Sequence, residues 1–393
     1  MTHIDETSTL MLEDRHSSGV YIKRDLTIVR GEGAYVFDDM GRAYIDCVSG
    51  QGASNLGHAH PAIVAAIESQ CHQLMVCPEF LHTPTRAQYQ AALCAATQMD
   101  RVFLCNSGAE AIEAALKFAR VLTGRRHIVS TMRAFHGRTM GALSTTWNKA
   151  YREPFEPLIG DVDFVPFNNT ERMISAITPN TAAVILELVQ GEGGIHPAEI
   201  EYVQAVEKTC RSMGALLIID EIQTGFGRIG SLFAFQQYGI RADLLCLAKS
   251  IANGLPMGAV LLRTGLPSLP PASHGSTFGG NPLACAVGLA VLQTLQTTDL
   301  IKRARERGAE VLAYLNENLS SQVVREVRGR GFMIGIELRQ KVAPILQALG
   351  NEGVLALSAG PTVLRLLPPL IIDDETLWQA IEIVTRTVNN ATR

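Results

Sequence analysis

Apolar positions change period several times along the chain, and each change marks an expected element. Between about residues 100 and 260, short apolar runs alternate with stretches whose apolar positions recur at three- and four-residue spacing. The runs are Arg101 to Cys105, His127 to Ser130, Ala183 to Leu188, Ala215 to Asp220 and Leu244 to Ala248. Such alternation predicts βαβ units and an α/β fold with a mainly parallel sheet covered by helices on both faces. A helical stretch follows the first run directly, with Ala111, Ile112, Ala115, Leu116 and Ala119 on one face. Residues 265–280 are rich in Pro, Gly and Ser and read as loop, and Pro282 to Gln296 reads as a buried helix.

Beyond that helix the pattern changes character. Residues 301–318 predict an amphipathic helix; Val323 to Arg328 and Phe332 to Leu338 predict strands; a helix starts near Val342. Val354 to Leu357 and Val363 to Leu367 read as further strands, and a last helix begins near Asp374. Towards the N-terminus, Ala34 to Asp46 has the look of a hairpin turning at Asp39-Met40-Gly41. The expected division is therefore an N-terminal segment, residues 1–55, packing with a small domain; a large domain over 56–290; and a small α+β domain over 291–393.

Of the 393 residues, 47% are hydrophobic and 18% charged, with 34 basic against 38 acidic side chains and a formal charge of −4. A chain of this length buries a core without staples. Near-neutral charge with no basic run argues against a nucleic-acid binder, which needs a cationic face. The longest apolar runs fall far short of the roughly 18 to 20 residues of a membrane helix, so no membrane span is expected. Asp5, Glu6, Glu13 and Asp14 stand where a secretory signal would carry positive charge, which points to the cytoplasm. Eight cysteines form no C-x-x-C pair and read as free thiols. Cys71, His72, Cys77 and His82 match no structural zinc spacing, so no metal is expected.

Two residues change the picture. Asp220 ends one apolar run, and Lys249 follows the next. Parallel strands would bring both to the carboxyl-end edge of the sheet, where open α/β sheets bind ligands. A buried salt bridge is one reading of that spacing. The chemical reading is that a lysine in partly apolar surroundings loses its proton and forms a Schiff base with a carbonyl. Pyridoxal phosphate chemistry needs such a lysine together with an acid at the pyridine nitrogen. It also needs an anion site, and Asn106-Ser107-Gly108-Ala109 lies where a strand runs into a helix start. Gly225-Phe-Gly-Arg-Ile-Gly230 is a formal G-x-G-x-x-G, but four residues, Glu221 to Thr224, separate its first glycine from the strand end at Asp220. The following acid, Asp243, precedes its strand, so a dinucleotide site is disfavoured.

Six segments carry a resemblance over nearly the whole chain: Asn106-Ser-Gly-Ala-Glu-Ala, Phe135-His-Gly-Arg-Thr, Glu187-Leu-Val-Gln-Gly-Glu-Gly-Gly, Asp220-Glu-Ile-Gln-Thr-Gly, Leu247-Ala-Lys-Ser and His274-Gly-Ser-Thr-Phe-Gly-Gly-Asn-Pro. In this order they resemble the class III aminotransferases, pyridoxal 5′-phosphate enzymes of fold type I. The resemblance implies that Lys249 holds the cofactor, Asp220 pairs with its ring nitrogen, Gln223 lies near its phenolic oxygen and Phe135 stacks on its face. Ser107, Gly108 and Ala109 would cradle the phosphate. Thr277, beside Ser276, matches a residue that reaches the phosphate of a neighbouring subunit, which implies a homodimer with shared active sites.

For substrates, the same resemblance assigns Arg138 and Tyr21 to the carboxylate distant from the reacting amine, with Ser276 also among the substrate-side residues. Arg365 is similar to the arginine that takes the α-carboxylate of glutamate, and Glu192 to the carboxylate that masks it when a terminal amine is bound. The stretches Gly19 to Gly31, Tyr151 to Leu158 and Val354 to Val363 look most like the lysine-biosynthetic branch. Its members transaminate the terminal amine of a lysine, or in some relatives an ornithine, carried on a small acidic amino-group carrier protein, with 2-oxoglutarate and glutamate as the other pair. N-acetylornithine aminotransferase of arginine biosynthesis is the alternative, and an aminomutase of the same fold a remote one. Leu188, where many relatives carry proline, and Ser250-Ile-Ala-Asn, where many carry Ala-Leu-Gly-Gly, depart from the family pattern. Lys23 and Arg24 are the expected contacts for an acidic carrier.

Overall fold

In the computed structural model, which describes residues 9–391, seven strands form a central sheet. Their order is Arg101–Cys105, Gly258–Leu262, Leu244–Leu247, Leu216–Asp220, Thr181–Glu187, His127–Thr131 and Val162–Val165. Gly258–Leu262 runs antiparallel to both its neighbours, and the other pairings are parallel. All five apolar runs read from the pattern are strands of this sheet. The two unforeseen strands have physical reasons. Val162–Val165 is a short edge strand with a single buried residue, and Gly258–Leu262 has a turn before it and a loop after it where a βαβ unit would supply helices.

Strand residues alternate between two cores because successive side chains point to opposite faces. Leu216, Ile218, Ala183 and Ile185 pack on one face with Ala111, Ile112, Ala115 and Leu116 of the helix Gly108–Thr123. Leu217, Ile219, Val184 and Leu186 face the larger core on the other side. Every residue of Thr181–Glu187 is buried, as expected for a strand covered on both faces. Burial of each such Leu or Ile is worth about 1.5–3 kcal/mol.

The C-terminal part builds a second sheet in the order Val324–Arg330, Met333–Leu338, Val363–Leu366, Leu357–Ser358, backed by the helix Leu300–Asn318, against which the last helix, Asp374–Asn389, packs. Asp373 caps the last helix by accepting from the Thr376 amide. The foreseen hairpin is present, with Tyr35–Asp38 antiparallel to Ala43–Asp46, and it gains a strand on each side. One is Ile28–Glu32; the other is Val354–Leu355, which pairs in parallel with Ala43–Asp46 from three hundred residues downstream. The helix Pro282–Thr297, started by Pro282 at its first position and capped by Asn281, lies against Pro61–Cys71 and Pro84–Thr97. Among the described residues no single helix is long and apolar enough to cross a membrane.

Candidate active site

Every parallel strand of the large sheet delivers its last residue to one edge, and the chemistry collects there. Asp220 ends its strand opposite Glu187, the last residue of the neighbouring strand. From the loop after His127–Thr131, His136 reaches across and sets its Nδ1 2.7 Å from Asp220 Oδ2, with both side chains buried. The other oxygen of Asp220 accepts the Ile222 amide at 3.0 Å. The aspartate is thereby oriented from two sides.

Glu187 accepts the amides of Phe135 and Gly191, each at 2.9 Å. Burial pushes its carboxyl up to about 7; the His136 ring opposes that shift and the Asp220 carboxylate adds to it. The Glu187 carboxyl is thereby biased towards its neutral form. Neither His136 nor Glu187 was assigned a role from the sequence. The signal was present, since His136 stands beside Phe135 after a parallel strand and Glu187 ends another.

Lys249 opens the short turn Lys249–Ala252 after the strand Leu244–Leu247, with a positive φ of 50° that a side chain tolerates poorly. Burial lowers its pKa, with a further push from the charge of Arg365; Glu192, Asp220 and Glu187 pull the other way. Its amine has no hydrogen-bond or ion-pair partner among the described residues. An amine held without a partner and biased towards its neutral form is a nucleophile.

At the start of the helix Gly108–Thr123, the Ser107 hydroxyl accepts the Glu110 amide at 3.2 Å. Among the described residues the amides of Gly108 and Ala109 have no acceptor, so a 16-residue helix presents open N–H groups to the same edge. A Cβ on Gly258 would fall 2.3 Å from the Ser107 carbonyl, so only glycine lets that strand pass so close. The residues at this edge match a flat aromatic aldehyde bearing a phosphate: an amine, an oriented carboxylate, a partly buried Phe135 ring and an anion site on a helix end.

Arg365, 2% exposed, pairs through Nη1 with Glu192 Oε1 at 2.7 Å and reaches Gln223 Oε1 at 3.4 Å, while its Nε stays without a partner. Gln223 also donates to the Gln51 carbonyl at 3.3 Å. Arg138 lies with its guanidinium carbon 3.3 Å from the Tyr151 ring centroid and 5.7 Å from that of Phe135. The structure thus brings together Asp220, Lys249, Gln223, Glu192 and Arg365, with Arg138 and Phe135 joined through Tyr151.

Other expected residues lie elsewhere in the single chain. Tyr21 is 80% exposed and touches neither Arg138 nor the Glu192–Arg365 pair. Ser276 accepts from Asn106 Nδ2 at 3.0 Å, beside the helix start, and the exposed Thr277 lines an outward groove with Phe80 and Phe103. Lys23 is neutralised by Glu13 and Asp14 at 3.3 and 3.1 Å, and Arg24 donates to the Ala356 carbonyl at 2.7 Å. The Gly225–Gly230 run serves packing: a Cβ on Gly230 would fall 2.8 Å from the Cα of Arg305.

The family model for class-III aminotransferases matches residues 19–388, and the chain belongs to that family. It is a pyridoxal-phosphate-dependent transaminase of fold type I. It is 47% identical, over 97% of its own length and 90% of the relative's, to the [LysW]-aminoadipate semialdehyde transaminase of Deinococcus radiodurans. It is 41% identical to the acetylornithine aminotransferase of Methanosarcina acetivorans, over 96% and 95% of the two chains. Among solved structures, an ornithine aminotransferase from Toxoplasma gondii superposes with a TM-score of 0.93 at 31% identity, covering 96% of this chain and 93% of that one.

Proposed function

We propose that this transaminase moves the terminal amine of a lysine borne on a small acidic carrier protein to 2-oxoglutarate, and in the biosynthetic direction from glutamate to the carrier-bound semialdehyde. The observation that carries this reading is the 47% identity to the transaminase whose name specifies [LysW]-aminoadipate semialdehyde. The Glu192–Arg365 pair supports it. Glutamate presents an α-carboxylate beside its reacting carbon and a terminal amine does not, so one site must offer a cation to the first and hide it from the second. A paired arginine whose Glu192 partner remains 35% exposed can do both.

When bound, pyridoxal phosphate supplies the electron sink that stabilises the carbanion left by loss of a substrate C–H proton. The protein does the rest. In this reading Lys249 holds the cofactor and, once released by the incoming amine, moves the proton off the substrate carbon and returns it. Asp220, braced by His136, keeps a proton at the ring nitrogen. Phe135 covers a ring face, Gln223 stands by the phenolic oxygen, and the Ser107–Ala109 amides take the phosphate. Arg138 receives the distant carboxylate. Ser276, Thr277 and Tyr21 complete the site across a homodimer in the cytoplasm.

Two experiments test this. Lys249→Ala should lower turnover by at least about 10²–10⁴-fold, the usual worth of a positioned general base; near-normal turnover would sink the mechanism. Mixing holoenzyme with carrier-bound lysine, and separately with N-acetylornithine, should bleach the cofactor's visible band faster with the carrier substrate. The reverse order would favour the second reading, arginine biosynthesis, which the 41% identity to an acetylornithine aminotransferase keeps in view.

A further inference from the structure

The turn that carries Lys249 is tied to the N-terminal segment by side chains that have no part in the chemistry above. Lys249 stands at a φ of +50° and Asn253 at +43°, so the turn Lys249–Ala252 opens on one left-handed residue and is followed by another. Backbone of that kind persists only where its surroundings over-determine it. Ile251 and Ala252 pack into the larger core. Two polar side chains add the rest. Ser250, 2% exposed, donates its hydroxyl to the Gly52 carbonyl at 2.7 Å. Asn253 accepts the Leu56 amide through Oδ1 at 2.8 Å and donates from Nδ2 to the Gly57 carbonyl at 3.0 Å. Both residues belong to the Ser250-Ile-Ala-Asn stretch that departs from the family pattern.

The segment they reach is itself firmly held. Ser49, Gly50, Gln51 and Gly52 have φ values of 46°, 58°, 62° and 82°, a run of left-handed residues of which two are not glycine. Asp46 anchors the start of that run. Its Oδ1 accepts the amides of Val48 and Ser49 at 2.8 and 3.0 Å, and its Oδ2 lies 2.7 Å from His58 Nε2. The Ser49 hydroxyl donates to the Leu367 carbonyl at 2.7 Å. Further on, Asn55 donates to the Phe226 carbonyl at 2.7 Å, and its own carbonyl accepts the Leu370 amide at 2.7 Å. A Cβ on Gly57 would fall 2.4 Å from the Gly33 carbonyl, so the chain passes there at glycine distance. The carbonyls of Gln51 and Gly52 are neighbours in the chain; the first receives Gln223 at 3.3 Å and the second Ser250. One strained turn therefore steadies both Gln223 and the residue next to Lys249.

We propose that Ser250 and Asn253 are positioning residues for Lys249: their hydrogen bonds to residues 52–57 fix the turn from which the lysine springs, and with it the place its amine occupies when it moves the substrate proton. The inference rests on the reading of Lys249 as that base and is independent of which amine the enzyme takes. The Lys249 amine has no partner among the described residues, so no contact at its tip holds it. Its four-carbon stem is flexible, and its reach is set where it leaves the backbone. Proton transfer demands close approach, and a misplacement of about 1 Å can cost about 10²-fold in rate. With the bonds from Ser250 and Asn253 gone, the left-handed turn is less determined and the amine spends less time in reach of the proton.

Ser250→Ala and Asn253→Gly remove the bonds and spare the backbone, since glycine adopts a left-handed φ freely. Holoenzyme is mixed rapidly with glutamate, and separately with glutamate deuterated at Cα, and one turnover is followed through the cofactor's visible band. Each variant should slow that turnover about tenfold, keep the full deuterium effect and leave the half-saturating glutamate concentration within about twofold. A second readout needs no substrate: apoprotein given pyridoxal phosphate should regain its visible band about tenfold more slowly in each variant, because the same amine must reach the aldehyde. A lower unfolding midpoint with turnover, deuterium effect and cofactor uptake all unchanged would overturn the assignment and leave these bonds to folding. So would a rise in half-saturating glutamate at unchanged turnover, which would place their effect on substrate binding. Near-normal turnover in Lys249→Ala, with residues 250 and 253 intact, would instead overturn the reading of Lys249 as the base. If one variant fails to fold, the other decides alone.

Discussion

Arg365 is the residue on which dual substrate use turns. Its guanidinium is buried, its charge is met by Glu192 at 2.7 Å, and its Nε has no acceptor. Removing Glu192 would leave an uncompensated cation facing the substrate carbon, which favours an α-carboxylate and penalises a terminal amine. Glu192→Ala should therefore lower kcat/KM in the terminal-amine half-reaction about tenfold or more while the glutamate half-reaction holds or improves, as single-turnover absorbance would show. Equal losses in both half-reactions would show that the pair serves folding alone. The charged residues of this pair were legible in the sequence through the family motifs. His136 and Glu187 stand within those motifs, but a role for either depends on which strands are neighbours, which the motifs do not carry. His136 reaches Asp220 by crossing the end of the strand that Glu187 terminates.

Among the elements, the helix Gly108–Thr123 joins stability to binding. Its apolar face is packed against the sheet, and its first turn leaves two amides open at the strand edge. The Ser107 hydroxyl caps the helix by taking the Glu110 amide. Ser107→Ala should cost about 1 kcal/mol in denaturant unfolding of the apoprotein and also weaken cofactor retention, measured by dialysis against buffer without cofactor. A stability loss with unchanged retention would confine Ser107 to capping. Elements with strong periodicity were legible: the helices after residue 281 and the five buried strands fall where apolar spacing puts them. Gly258–Leu262 was not, because it lacks the alternation with helices that makes a parallel strand stand out.

For the whole molecule, Arg228 is the tie between distant segments. Fully buried, it donates to the carbonyls of Phe332 and Pro368 and to Asn55 Oδ1, so one side chain joins the N-terminal segment to the strand ends of the C-terminal sheet. Burial lowers its pKa to about 9, opposed by Cys47 and Asp46. Arg228→Met keeps the volume and strands those acceptors, and should destabilise the protein by about 3 kcal/mol in equilibrium unfolding. A change within about 0.5 kcal/mol would mean that the acceptors find other donors. The chain's own periodicity determined the α/β class, the strand runs and the helix starts, because burial on a pleated or helical face demands fixed spacing whatever the partner. Its motifs determined the family and its cofactor chemistry. Only the tertiary structure decided that Val354–Leu355 pairs with Ala43–Asp46, that Lys23 is spent on Glu13 and Asp14, and that Ser250 and Asn253 bond to residues 52–57. Those outcomes depend on contacts between residues tens to hundreds of positions apart or on which neighbour a charge meets, and local spacing carries no information about either.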